Sequence, residues 1–254
     1  MGLAQSLLPL RHLHEYVALR TGLALLGVFC LLWTAMAYPL RLLLPGRRGV
    51  WLGRWMATLE SRAYLFLLRL IGVARFDLRA LDALRAAGPL IIAPNHPGLL
   101  DALMVISRLP NVVCVLKASL LGSPLWGAGS RLAGYIRNDS FIGLVRLAVE
   151  ELHRGSQLLL FPEGTRTEPK PLGEFREGAA YVSYRAGVPI QAVIIEQDSE
   201  FLGKGWPIMK RPDMPMHFRI RLGRRFPPPA DPKAFSRTLR EYFLSELNAS
   251  SSGT

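Results

Sequence analysis

The run Pro89-Leu90-Ile91-Ile92-Ala93 is short, apolar and β-branched, and Pro94 closes it, so it reads as a buried strand ending just before Asn95. Ser156-Gln157-Leu158-Leu159-Leu160-Phe161, stopped by Pro162, reads the same way. Val112 to Leu116 and Ile190 to Ile195 are further apolar strands, and His217 to Leu222 alternates Phe218, Ile220 and Leu222 with Arg219 and Arg221, as a strand with one wet face does. Between them lie helical segments: Asp82 to Ala87, Asp101 to Arg108, Trp126 to Leu132, Phe141 to His153, Phe175 to Ala186 and Phe235 to Leu247. Alternating strands and helices predict an α/β fold, with a central, mostly parallel sheet flanked by helices.

The chemistry-bearing residues follow the strand ends. His96 and Asp101 are five apart, and on one continuous helix they would point about 140° away from each other. Pro97-Gly98 breaks the chain between them, so a turn can carry His96 over a helix that begins near Leu99, with Asp101 in its first turn. A carboxylate held against one imidazole nitrogen fixes the tautomer and leaves the other nitrogen to take a proton from a hydroxyl. No serine lies in a G-x-S-x-G elbow, and Cys30 and Cys114 sit in apolar runs, so a substrate hydroxyl would be the nucleophile. Taken alone, the pair fits a helix cap and a dipole partner equally well. The second loop, Phe161-Pro162-Glu163-Gly164-Thr165-Arg166, offers a guanidinium that can grip a phosphate through two parallel hydrogen bonds, with Thr165 and backbone N–H groups completing the cradle. Glu163 has two readings here, contact with a substrate hydroxyl or support for Arg166. Ligands of open α/β sheets bind at the carboxyl ends of the strands, which brings the two loops to one edge.

At these residues the chain resembles the glycerolipid acyltransferase family that includes bacterial 1-acyl-glycerol-3-phosphate acyltransferases. Asn95, His96 and Asp101 match its Asn-His-x4-Asp motif, and Phe161 to Arg166 match Phe-Pro-Glu-Gly-Thr-Arg in full. Gly134-Tyr135-Ile136-Arg137 resembles the block that ends in an arginine, Val188-Pro189-Ile190 the apolar block with proline, and Phe175 to Ala180 the helix after the third motif. The likeness covers roughly residues 75 to 225, and Pro97-Gly98 departs from the commoner polar and aromatic residues of that turn. The resemblance implies that His96 is a general base with Asp101 as its partner, and that Asn95, Arg137, Glu163, Gly164, Thr165 and Arg166 bind the acceptor. It implies an acyl thioester donor, on coenzyme A or acyl carrier protein, a lysophospholipid acceptor, and no metal or other cofactor. Two rival readings stand beside it: acylation of another envelope lipid, such as an ornithine lipid or a polyene pigment lipid, and a non-catalytic lipid-binding protein of the membrane surface.

The net charge of +12 suits an anionic partner, and no zinc spacing, P-loop or RNA-binding aromatic signature points it toward nucleic acid, so membrane phosphates are the better match. Thr21 to Leu40 carries no charge and as a helix would reach about 30 Å, the thickness of a bilayer's hydrocarbon core. Arg11 and Arg20 precede it, while Arg41, Arg47, Arg48 and Arg54 follow, which favours a catalytic domain on the cytoplasmic side of the inner membrane. Ala35-Met36-Ala37 resembles a signal-peptide cleavage site, but the region before it is long and more apolar sequence follows at once. Trp51 to Val73 mixes aromatics with Arg54, Arg62 and Arg69, as a helix in the membrane interface would, and equally as one packed on the catalytic domain. The expected organisation is a helical membrane-associated segment over 1–74, an acyltransferase domain over 75–248 and a flexible tail over 249–254. Arg219, Arg221, Arg224 and Arg225 form a basic stripe, read either as a lipid- or carrier-facing surface or as a solvated strand face.

Overall fold

A computed structural model describes the backbone of residues 2–168, 171–207 and 210–251, and the side chains of 13–168, 171–207 and 210–249. Two long helices, α1 (Gly2–Leu43) and α2 (Arg47–Leu70), lead into β1 (Ala74–Asp77) and a 3-10 turn (Arg79–Leu84). There follow β2 (Ile91–Pro94), α3 (Asp101–Arg108), β3 (Val112–Leu116), α4 (Ala118–Leu121), α5 (Gly127–Leu132) and β4 (Ile136–Arg137). Then come α6 (Phe141–His153), β5 (Gln157–Leu159), α7 (Gly178–Ala186), β6 (Ile190–Gln197), β7 (Met216–Phe226) and α8 (Pro232–Ser251). The tail expected over 249–254 is helical as far as Ser251, and 252–254 lie outside the described residues, as does Lys170.

Among the described residues seven strands form one sheet, in the order β1-β7-β6-β2-β5-β3-β4. The five strands from β6 to β4 run parallel, β7 is antiparallel to β6, and β1 pairs parallel with β7. Alternate side chains of each strand enter opposite layers, as a pleated backbone requires. Ile92, Leu159, Val193 and Ile195 join α1, α2 and α3 on one face, while Ile91, Leu158, Ala192 and Ile194 join α6, α7 and α8 on the other. Burial on both faces is why these strands read as unbroken apolar runs rather than as alternating ones. β7 is covered more than its pattern predicted: Arg221 on its expected wet face donates to Glu196 Oε1 at 2.8 Å and pairs with Glu246 of α8.

Leu13–Leu43 of α1 is, among the described residues, the one stretch long and apolar enough to cross a membrane, and it leaves Val28, Leu31, Leu32, Met36 and Leu42 exposed. This suits membrane association. α2 belongs to the core that surrounds α3, through Ala57, Tyr64, Leu65 and Leu68, so packing continues across the expected boundary at residue 74. Of the two readings of this helix, packing on the rest of the fold is the one Arg54 follows, at only 6% exposed. Its guanidinium donates to Ala133 O (3.0 Å), Asn111 Oδ1 (3.1 Å), Ser156 Oγ (2.9 Å) and Glu151 Oε2 (2.6 Å), binding α2 to the turns after α5, α3 and α6.

Burial alone would raise the Glu151 carboxyl, but hydrogen bonds and charge from Arg54, with Arg154 and Ser156, hold it below the usual carboxylate range. A depressed folded-state pKa stabilises the protein above the unfolded value, and that contribution is lost as pH falls through the folded value. Arg54→Ala leaves Glu151 to Arg154 and Ser156 alone and removes the donor to Ala133 O and Asn111 Oδ1, and should cost about 3 kcal/mol, the lower end for a broken buried pair. Thermal melting checks both points: wild type should lose stability on acidification below about pH 4, and the variant, already destabilised at neutral pH, should lose less over that range.

Candidate active site

His96 lies two residues beyond the end of β2, and Asp101 opens α3. The turn Pro97-Gly98-Leu99-Leu100 folds the chain back so that Asp101 Oδ2 accepts from His96 Nδ1 at 2.8 Å and from the Gly98 N–H at 2.8 Å. A carboxylate can only accept, so Nδ1 carries the proton and Nε2 is the basic nitrogen. Asp101 is fully buried. Burial pushes its carboxyl up, and the hydrogen bonds from His96 and Gly98 counter part of that push. The Phe161 ring stacks on the imidazole, with centroids 3.9 Å apart and planes inclined by 20°, so the ring is held on one face as well as at one nitrogen.

The second loop is joined to the first through the backbone. Glu163, 3% exposed, accepts from the His96 N–H at 3.0 Å, from the Thr167 hydroxyl at 2.8 Å and from the Gly173 N–H at 2.9 Å. The Thr167 N–H in turn donates to the His96 carbonyl at 2.8 Å. Both halves of the His96 backbone are therefore held by the loop after β5. Gly173 approaches so closely that a Cβ there would stand 2.8 Å from Glu163 Oε2, which leaves no room for a side chain. Asn95 forms a reciprocal pair with the Ile195 backbone, its Nδ2 donating to the carbonyl at 3.0 Å and its Oδ1 accepting the N–H at 2.7 Å, which ties the end of β2 to β6.

His96 and Arg166 line one cleft of about 930 Å³ at the carboxyl ends of β3 and β5, together with Gly164 and Thr165. Arg166 Nη1 donates to the carbonyls of Leu202 (2.8 Å) and Gly203 (3.1 Å), and its other N–H groups have no partner among the described residues. One end of the guanidinium is anchored and the other is available to an anion. Gly164, at φ +67°, adopts a left-handed turn that brings its Cα under Arg176.

Three expected contacts are placed differently. Asn95 and Glu163 stand behind the cleft, their polar atoms spent on the backbone of β6 and of His96, and Glu163 does not support Arg166. Arg137 sits on edge strand β4, largely exposed and paired with Asp139; the cleft wall takes Asn138 and Asp139 instead. Three cations that the sequence reading left out of the site do line the cleft: Lys117, Arg176 and Lys204, the last paired with Glu168. Lys117 follows a buried strand directly, which is the signal that marks it. Arg176 is folded in by its own N–H, which donates to the Pro162 carbonyl at 2.8 Å. Among the described residues no group of three or more His, Cys, Asp or Glu is arranged to hold a metal ion.

Comparison with known proteins accords with this geometry. A family model described as Acyltransferase matches residues 75–196, a span that holds both loops. The 1-acyl-sn-glycerol-3-phosphate acyltransferase of Pseudomonas aeruginosa is 26% identical over 197 residues, covering 74% of this chain and 75% of that protein. Human 1-acyl-sn-glycerol-3-phosphate acyltransferase beta is 29% identical over 134 residues, covering 50% of this chain and 48% of that one, so the match spans about half of this relative's length. The crystal structure of the 1-acyl-sn-glycerophosphate (LPA) acyltransferase PlsC from Thermotoga maritima superposes with a TM-score of 0.69 at 17% identity, covering 95% of this chain and 98% of that one, and establishes the fold. The segment that matches the acyltransferase model, residues 75–196, is thus the one that carries both loops of the cleft.

Proposed function

We propose that this protein moves a fatty acyl group from an acyl thioester, on coenzyme A or acyl carrier protein, to the free hydroxyl of 1-acyl-glycerol-3-phosphate, giving phosphatidic acid on the cytoplasmic side of the inner membrane. The observation that carries this reading is that an imidazole backed by a buried carboxylate and a half-anchored guanidinium line one cleft. The names of the relatives support the acceptor, and the exposed apolar face of α1 supports delivery from a membrane.

In this reading the acceptor's phosphate docks on Arg166, with Thr165 and the cleft cations Lys117 and Arg176 close by. His96 Nε2 takes the hydroxyl proton as the oxygen attacks the thioester carbonyl. The tetrahedral adduct then expels the thiolate, which receives that proton back, so the base is regenerated and no protein nucleophile is consumed. Asp101 holds the ring in the required tautomer and stabilises the imidazolium formed in transit. Glu163 acts as a positioning residue through the His96 backbone. Ordering of both reactants in one cleft supplies the remainder of the rate.

Four measurements test this. His96→Ala should fold normally by circular dichroism and reduce acyl transfer by roughly 10²- to 10⁴-fold, the range for loss of a general base; near-normal turnover in the folded variant removes the assignment. Arg166→Ala should raise KM for the phosphorylated acceptor roughly tenfold or more, as loss of a charged hydrogen bond does, with less effect on kcat. An acceptor panel offered labelled acyl thioester in the same assay decides among the lipid readings. Reaction of only a non-phosphorylated lipid rules out the phosphate role of Arg166, and lipid binding without any turnover makes this a binding protein. Glu163→Ala removes the acceptor of three buried donors, and hydrogen exchange should then quicken at the His96 amide while β2 and β6 stay protected; unchanged exchange at His96 would show that Glu163 does not hold the loop.

A further inference from the structure

A second concavity lies at the β1 edge of the sheet, apart from the catalytic cleft. Its volume is about 790 Å³, and it shares no lining residue with the cleft. The two meet opposite ends of the same short helix: the cleft takes Ala102 near the start of α3, and the groove takes Ser107 and Arg108 at its end.

Six guanidinium groups line this groove, those of Arg62, Arg69, Arg75, Arg79, Arg108 and Arg219, against one carboxylate, Asp77. Three are fixed by the protein. Arg62 Nε donates to Ser107 O at 2.6 Å, Arg108 pairs with Asp82, and Arg79 pairs with Asp77. Arg69, Arg75 and Arg219 are exposed and form no ion pair among the described residues. Desolvation, with the neighbouring charges of Arg85 and Arg108, lowers the pKa of Arg62, and Asp82 counters part of that shift. The floor is apolar, built from Leu65 and Phe66 of α2 and the stacked rings of Phe76 and Phe218, whose centroids are 5.2 Å apart.

The position of α2 selects the occupant. At 3.6 residues per turn, Trp51, Trp55, Leu59, Arg62, Phe66, Arg69 and Leu70 fall within an arc of about 100° on one helix face. The five apolar members are all exposed, Phe66 by 63%. The apolar face of the helix therefore runs directly into the arginine groove. A small free anion has no use for that floor. An amphiphile uses both parts, with its phosphate on the arginine forks and its chains along the face.

We propose that the groove formed by α2, β1, β7 and the end of α3 is a non-substrate site for the headgroup of an anionic phospholipid. It is separate from the acceptor site, so a lipid held there does not occupy the cleft of His96 and Arg166. The proposal does not depend on the reaction assigned above.

The test uses the full chain in neutral detergent micelles, titrated with dioctanoyl phosphatidylglycerol, with dioctanoyl phosphatidylcholine and inorganic phosphate as parallel arms. Arg69→Glu/Arg75→Glu alters the groove. Arg185→Glu/Arg237→Glu makes the same charge change at exposed positions of α7 and α8, on the opposite face of the sheet. Wild type should bind phosphatidylglycerol at least about tenfold more tightly than phosphatidylcholine, and the groove variant should lose that preference while the control keeps it. The proposal is overturned if the groove variant keeps the preference, or if the control loses it equally, which would mean bulk charge alone. Binding of inorganic phosphate as tight as that of the lipid would overturn it in favour of a small-anion site. Unchanged lipid binding in the groove variant, with loss of binding to an acidic carrier protein, would overturn it in favour of a protein partner. Acyl transfer in the same micelles is read separately: its absence from wild type counts against the proposed reaction and leaves the lipid result standing.

Discussion

The arrangement of the cleft edge of the sheet depends on one buried carboxyl group. Glu163 accepts three hydrogen bonds, and one of its donors is the peptide N–H of His96 itself. A buried carboxyl group is tolerated when its lone pairs are satisfied, so the loop after β5 and the loop after β2 hold each other in place. The constraint is reciprocal, because the Thr167 N–H returns a bond to the His96 carbonyl. Imidazole and guanidinium are thereby held in one frame, although 70 residues separate them in sequence. Asn95 does the equivalent on the other side of β2, where its amide replaces a ladder bond with β6.

The arginines divide into kinds that composition cannot distinguish. Arg54 is buried and spends its donors on one backbone carbonyl, the side-chain oxygens of Asn111 and Ser156, and one carboxylate. Arg221 lies between Glu196 and Glu246 and fastens α8 to the sheet. Arg166 is half used, tied at one end to the 202–203 carbonyls and open at the other. Arg69, Arg75 and Arg219 form no ion pair among the described residues and face a groove with an apolar floor. A guanidinium has five donors in a rigid fork, so the same residue type can brace a fold, lean on it while holding an anion, or wait for one.

Much of the fold was legible because proline and glycine punctuate it. Pro94 and Pro162 close apolar runs of strand length, and the helix over Phe141 to His153 has the bounds its periodicity predicts. β1 was not legible. Ala74–Asp77 is four residues with two charges, and it is a strand only because β7, some 140 residues later, offers it a parallel edge. Helix α7 begins at Gly178 rather than at Phe175, because the Arg176 N–H is used to fold the preceding segment over the second loop. The residues that line the cleft, His96, Gly164, Thr165 and Arg166, were legible, and the supports behind it were not. Glu163 looked like a substrate contact because a carboxylate beside a Gly-Thr-Arg turn is equally suited to facing outward. Which way it faces is set by donors from Thr167 and Gly173, which come close only when the loop folds back on itself.

The sequence by itself determined the chemistry of the two loops and their places at strand ends, because both rest on local rules: a proline that stops a strand, a turn that sets His96 over Asp101, and a guanidinium that suits a phosphate. Tertiary structure alone decided which polar groups face the cleft and which brace it. It also placed α2 within the core and gathered arginines from α2, β1, α3 and β7 around one groove. Those outcomes depend on strand order and on the packing of helices against one face of a sheet. They arise from contacts between residues far apart in the chain, which no local pattern of residues encodes.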